Sequence, residues 1–194
     1  MNAKRVSNIA MIAAVYAAAS LFALLFLGSL AWGPIQFRIS EALCVLALFT
    51  PDAIIGLSLG CAAANLINMF MGGLGALGLL DVFFGALATG LGAAWIWHFR
   101  KRLGVALLGP VLTNALIVPV YLPLILQGMG FYTIPFTSIS LDQNYILMYL
   151  FGAVSLAVGE AVVMYALGYP LARALEKTPL PSLLANTSTK HTNS

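Results

Sequence analysis

Long apolar runs separated by short polar stretches dominate the chain. They cover about residues 7–31, 34–49, 53–72, 77–98, 104–127 and 143–172. A helix that crosses the hydrocarbon core of a bilayer needs about 20 mostly apolar residues. The pattern therefore predicts an all-α polytopic membrane protein, a bundle of six transmembrane helices. The second run is short and opens on polar residues. The fifth contains Pro110, Pro119 and Pro123, which predicts kinks. The stretch 128–142 is the one long loop expected between helices. Residues 1–177 then form a single transmembrane domain, and the Pro/Ser/Thr-rich residues 178–194 are expected to be a polar, disordered cytoplasmic tail. Lys4-Arg5 and the apolar run after it resemble a signal peptide. The run is too long for a signal h-region and further spans follow, so it reads as a retained first helix. No internal repeat is visible.

Composition narrows the class. Hydrophobic residues make up 61% and charged residues 8%, with mean hydropathy +0.98. A soluble domain carries roughly a quarter charged residues. So little charge excludes a disordered chain, a nucleic-acid binder and an ordinary soluble enzyme. The placement of the charges sets orientation. Six spans put both termini on one side, together with Lys4, Arg5, Arg100, Lys101, Arg102, Arg173, Lys177 and Lys190. Of the 9 basic residues only Arg38 lies elsewhere. The positive-inside rule then predicts a multi-pass protein of the cell membrane with both termini cytoplasmic. Thr50-Pro51-Asp52 reads as the N-cap and first turn of the third span, and Asp142 as a cap for the sixth.

A charged group at mid-membrane costs roughly 2.5–3.5 kcal/mol on insertion scales, so each one needs a reason. The candidates for a ligand site are Gln36, Arg38 and Glu41 on the second span, Asn65 and Asn68 on the third, Asp81 on the fourth and Glu160 on the sixth. In the predicted topology most of them gather in the outer half, which suggests a pocket open to the outside. Arg38 and Glu41 are three apart, as are Asn65 and Asn68, so each pair shares a helix face. Blander explanations compete. Arg38 and Glu41 could form a mutual salt bridge, the asparagines could hydrogen-bond between helices, and Asp81 could cap its helix. Asn114 reads more simply as an interhelical hydrogen-bonding residue than as a ligand contact. Glu160 has no basic residue within several turns, and capping does not explain it. It needs a partner on another helix, a proton or a ligand.

Small residues form a second pattern. Ala10, Ala14 and Ala18 repeat at i+4 on the first span, and Gly56, Gly60 and Ala64 on the third. Such stripes let backbones approach closely. On the third span internal packing accounts for the stripe; on the first, an alanine face could equally receive another subunit. Cys44 and Cys61 lie in apolar runs and read as buried free thiols. No Cys/His cluster has metal-ligand spacing, and neither metal nor cofactor is expected.

GPIQFRISEAL (33–43), LALFTPDAIIGLSLGCAAANL (46–66), LDVFFGALAT (80–89) and VGEAVVMYALGYPL (158–171) resemble the QueT group. The resemblance runs from the first span to the sixth and leaves out the polar tail. These proteins are substrate-binding S components of energy-coupling-factor (ECF) transporters that import queuosine precursors. The resemblance implies a six-helix S-component fold, an outward-facing pocket and an alanine motif on helix one. That motif docks on a transmembrane T subunit driven by two ABC ATPases. It also implies a 7-deazaguanine ligand, such as the 7-cyano or 7-aminomethyl compound.

The guanine edge offers N–H donors that a carboxylate accepts as a pair, and O6 asks for an amide or arginine donor. Glu41, Glu160 and Asp81 are thus the acidic candidates; Gln36, Arg38, Asn65 and Asn68 are the amide and cationic ones. Trp32, Phe70 and Tyr132 could stack on the base, or simply belong to an interfacial aromatic belt. The chain lacks the phosphate-binding G-x-x-x-x-G-K-[ST] motif, so ATP-driven transport would need partner subunits. An intramembrane enzyme is disfavoured, because no nucleophile–base pair, metal site or aspartyl dyad is visible. A stand-alone ion-coupled transporter of a small polar or nucleobase-like solute is the alternative, with Glu160 as its proton carrier.

Overall fold

The computed structural model describes residues 3–28, 37–71, 75–128, 133, 140 and 145–188. Five helices are long and apolar enough to cross a membrane: α1 (Ala3–Leu27), α2 (Asp52–Met71), α3 (Gly75–His98), α4 (Leu103–Ile125) and α5 (Tyr145–Leu175). The second predicted span differs. Its described part is a ten-residue 3₁₀ helix, Ile39–Leu48. At about 2.0 Å per residue it reaches roughly 20 Å, short of a bilayer core of about 30 Å. The six-helix count therefore stands at five helices of spanning length and one shorter apolar helix among the described residues.

Small residues set the packing. A Cβ on Gly56 would lie 2.9 Å from Ile12 Cβ, and one on Gly60 would lie 2.7 Å from the Ala13 carbonyl oxygen. The stripe on α2 is thus spent on contact with α1, as internal packing predicted. Likewise Gly92 abuts Pro110, and Gly152 abuts Pro119 and Leu122. The buried face of α1 is Ile9, Ile12, Tyr16, Ser20 and Ala23. Ala10, Ala14 and Ala18 lie on its exposed side. Large apolar side chains such as Phe22, Phe26, Phe70, Phe83, Leu116 and Ile146 point outward. Such an outside suits hydrocarbon and would be costly in water.

At the end of the bundle that carries the first residues of α1, Arg5 Nε donates to Asp52 Oδ1. The backbone N–H of Asp52 donates to Thr50 Oγ1 at 3.3 Å, in keeping with the predicted cap. Beyond this end lies a difference from expectation. Leu180–Ser188, inside the stretch predicted to be disordered, forms a helix, α6. Its apolar residues explain why. Leu184 is buried, and with Leu180 it faces an apolar cleft of about 220 Å³ lined by Met11, Val15, Leu43 and Leu175. Asp142 falls outside the described residues.

Among the described residues, two larger apolar clusters lie in the bundle beside a small one at Met148. One groups Cys44, Val45, Leu57, Ile96, Leu107 and Met164. The other groups Ala88, Val118, Tyr121, Leu122, Ile125 and Leu156.

Candidate functional site

The polar residues of the interior gather where the 3₁₀ segment meets the long helices. A 3₁₀ helix has three residues per turn, so positions i and i+3 eclipse. Arg38, Glu41, Cys44 and Ala47 therefore form one inward row, and the backbone N–H of Glu41 closes the first turn on Arg38 O at 2.8 Å. An α-helix would have spread these residues around its surface. The row separates Arg38 from Glu41 by about 6 Å along the axis, which divides the site into two tiers.

The outer tier, on the side away from Asp52, centres on Arg38. Its guanidinium donates to Asn65 Oδ1 at 3.0 Å and to Asp81 Oδ2 at 3.2 Å. The Asn65 amide donates to the Asp81 backbone oxygen at 2.7 Å, and the Tyr121 hydroxyl donates to Asp81 Oδ1 at 2.8 Å. Asp81 is thus tied to neighbouring helices and is more than a helix cap. It stands at the start of a π-helical turn, Asp81–Gly85. Such turns insert one residue into a helix and recur at functional sites. Here the turn brings Gly85 against the network: a Cβ on it would lie 2.7 Å from Asn65 Nδ2 and 3.1 Å from Asp81 Oδ1.

The inner tier centres on Glu41, which is fully buried. Its Oε1 accepts from Tyr16 at 2.6 Å and from Thr89 at 2.7 Å, and its Oε2 accepts from the Cys44 thiol at 3.1 Å. The two halves of the predicted Arg38–Glu41 pair have found other principal partners. Glu160, 1% exposed, precedes a second π-helical turn, Val163–Gly168. It lies within electrostatic reach of Glu41 and Arg38, and its Oε2 has no hydrogen-bond partner among the described residues.

Of the predicted site residues, Arg38, Glu41, Asn65, Asp81 and Glu160 come together. Asn68 is buried one turn beyond Asn65 and makes no hydrogen bond to the network among the described residues. Gln36, Trp32 and Tyr132 fall outside the described residues. Phe70 is 76% exposed and faces away from the site. The ring beside the network is instead Tyr121, stacked on Phe84 at a centroid distance of 5.7 Å.

Tyr16, Thr89, Tyr121 and Gly85 escaped the sequence reading. Hydroxyls and glycines are common in membrane helices, so composition does not flag them. Tyr16 alone left a usable signal, because it continues the i, i+3/i+4 row of Ile9 and Ile12. Among the described residues no group of three or more His, Cys, Asp or Glu is placed to hold a metal ion.

Apolar helices of spanning length around a polar, charge-bearing interior define an integral membrane protein. The particular kind follows from the family comparison. The family model described as QueT transporter matches residues 6–177, and the chain belongs to that family. No curated protein and no solved structure matches it.

Proposed function

We propose that the chain is the substrate-binding membrane subunit of an ECF-type importer, and that it captures a 7-deazaguanine queuosine precursor in the site around Arg38, Glu41, Asp81 and Glu160. The supporting observation is a division of labour along α1. Tyr16, on its buried side, reaches into the polar site through Glu41. Ala10, Ala14 and Ala18, on its exposed side, present a smooth face to whatever lies outside. One helix thereby touches both the ligand site and the surface where a T subunit would dock. Two ABC ATPases supply the energy, since a membrane subunit without a phosphate-binding loop cannot.

In this scheme the short helix Ile39–Leu48 belongs to the sixth pass. Arg38, just before it, pairs with Asp81, and Asp52 follows shortly after its end. The bundle of residues 1–177 sits in the cell membrane with both termini cytoplasmic, which places the basic residues inside. Ligand enters from the far side. The carboxylates accept the N–H donors of the base, and Arg38 and Asn65 face its carbonyl.

Reconstitution tests the proposal. Liposomes holding the chain with its T subunit and ATPases should take up 7-deazaguanine only with ATP inside. Uptake by the chain alone under an ion gradient would favour the stand-alone transporter, a reading that Glu160 Oε2, without a hydrogen-bond partner among the described residues, keeps open.

A further inference from the structure

The tail helix α6 does not close fully against the bundle. Between them lies the apolar cleft of about 220 Å³, with Leu180 and Leu184 of α6 on one wall. Met11 and Val15 of α1, Leu43 of the 3₁₀ helix and Leu175 of α5 line the other. An apolar cavity of about 150 Å³ already takes up a molecule the size of benzene. Left empty, the lining would forfeit dispersion contacts on one side. The cleft is therefore a seat for something apolar. Its α6 wall lies beyond residues 6–177, the span that the family model matches.

The charges at its border tell which apolar molecule. Positions 4, 8, 11 and 15 share one side of α1, because residues three, four and seven apart fall along one helical row. Lys4 is exposed and stands two turns before Met11, about 10 Å along the axis. The row thus runs from an ammonium through Asn8 to the two apolar side chains in the cleft. Lys177, also exposed, stands in the turn that joins Leu175 to Leu180, on the other border. The neighbouring arginines are engaged, Arg5 with Asp52 and Arg173 with Glu176. Among the described residues neither lysine forms an ion pair. An apolar chain with an anionic head matches both features. In a bilayer the chain gains little by leaving its neighbours, which are as apolar as leucine. Selection therefore falls to the head, and each lysine beside an anionic head is worth about fivefold in affinity.

We infer that the cleft under α6 is a site for one acyl chain of an anionic phospholipid, whose head group is held by Lys4 and Lys177. The site stands apart from the polar interior and does not depend on which solute the protein carries.

Native mass spectrometry of the purified full chain tests it, with phosphatidylglycerol and phosphatidylcholine that carry the same acyl chains. The wild type should favour phosphatidylglycerol by at least about fivefold. Lys4→Gln combined with Lys177→Gln should bring the two lipids within about twofold. Both lysines are exposed, so the variant should fold like the wild type. Met11→Trp fills the cleft from a position that is 52% exposed. It should lower the retention of both lipids several-fold. Glycerol 3-phosphate, a head without chains, should displace neither. Equal retention of the two lipids by the wild type, a preference that survives the double lysine variant, or unchanged retention in Met11→Trp would overturn the site. Displacement by glycerol 3-phosphate would overturn it too, leaving a bare phosphate site. A dimer that disappears in Met11→Trp would give the cleft to a second copy of the chain instead.

Discussion

Among the described residues, two interhelical arginine–aspartate pairs share their chemistry and little else. Arg5–Asp52 ties the beginnings of α1 and α2 at one end of the bundle. Arg38–Asp81 ties the entry of the 3₁₀ segment to α3 in the other half. The Arg5 side chain is 39% exposed and that of Arg38 is 4%. Asp52 keeps Oδ2 without a partner among the described residues, whereas Asp81 has partners on both oxygens. The contrast reflects the cost of desolvation. Each ion taken from water loses several kcal/mol, and a single partner rarely restores it. In the Arg5–Asp52 pair only the arginine reaches the surface, and the buried Asp52 is held by a single charged partner. In the core the Arg38–Asp81 pair sits inside a network with Asn65 and Tyr121, which gives both Asp81 oxygens a partner.

Removing each arginine is the sharpest way to break this contrast. Arg38→Ala strands the buried Asp81, at a cost of about 3–5 kcal/mol. Thermal unfolding in detergent should show a large fall, and adding Asp81→Asn should restore much of it. A fall no greater than that of Arg5→Ala would mean that the network is not what stabilises the core pair.

Gly85→Ala comes next. Its methyl group would press on Asn65 and Asp81. Overpacking of this kind costs about 1–3 kcal/mol, and ligand affinity should fall with it. Unchanged stability and binding would show that the π turn yields freely.

Arg5→Ala should cost less, about 1–2 kcal/mol, because the partly exposed Arg5 side chain already meets solvent and its truncation opens a path for water to the buried Asp52. Its effect should shrink in 1 M salt, where the screening length is about 3 Å. The effect of Arg38→Ala should hardly change with salt. Equal salt sensitivity would erase the distinction between rim and core.

The smallest effect on the isolated chain belongs to Ala14→Trp, on the exposed side of α1. Stability should stay within about 0.5 kcal/mol and ligand binding should be unchanged. Co-purification with the T subunit should be lost if that face is the dock. Intact assembly would place the dock elsewhere.

The apolar stripe of α2 and the alanines of α1 illustrate what sequence could and could not separate. Both are small-residue repeats at i+4. Only the packing reveals that Gly56 and Gly60 are consumed by α1 while Ala10, Ala14 and Ala18 face out. The tail teaches a related point. Its composition reads as disorder, but Leu180 and Leu184 share a face and find an apolar cleft, and a helix forms over Leu180–Ser188.

By itself the sequence determined that this is a helical membrane protein and which acids must sit inside it. Hydropathy acts residue by residue along a chain that must match a bilayer, and a charge within an apolar run is conspicuous in one dimension. Tertiary structure alone decided what each charge meets. The bonds that define the site join residues 25 positions apart, as in Tyr16–Glu41, or 48 apart, as in Thr89–Glu41. Their geometry depends on a 3₁₀ row and two π turns that have no signature in composition. Spacing left open a mutual salt bridge between Arg38 and Glu41. Packing instead gave Arg38 to Asp81 and Glu41 to three neutral donors, and left Glu160 Oε2 and Asn114 Oδ1 without a hydrogen-bond partner among the described residues. Partner choice among buried groups is settled by which helices touch, and that is a property of the assembled bundle.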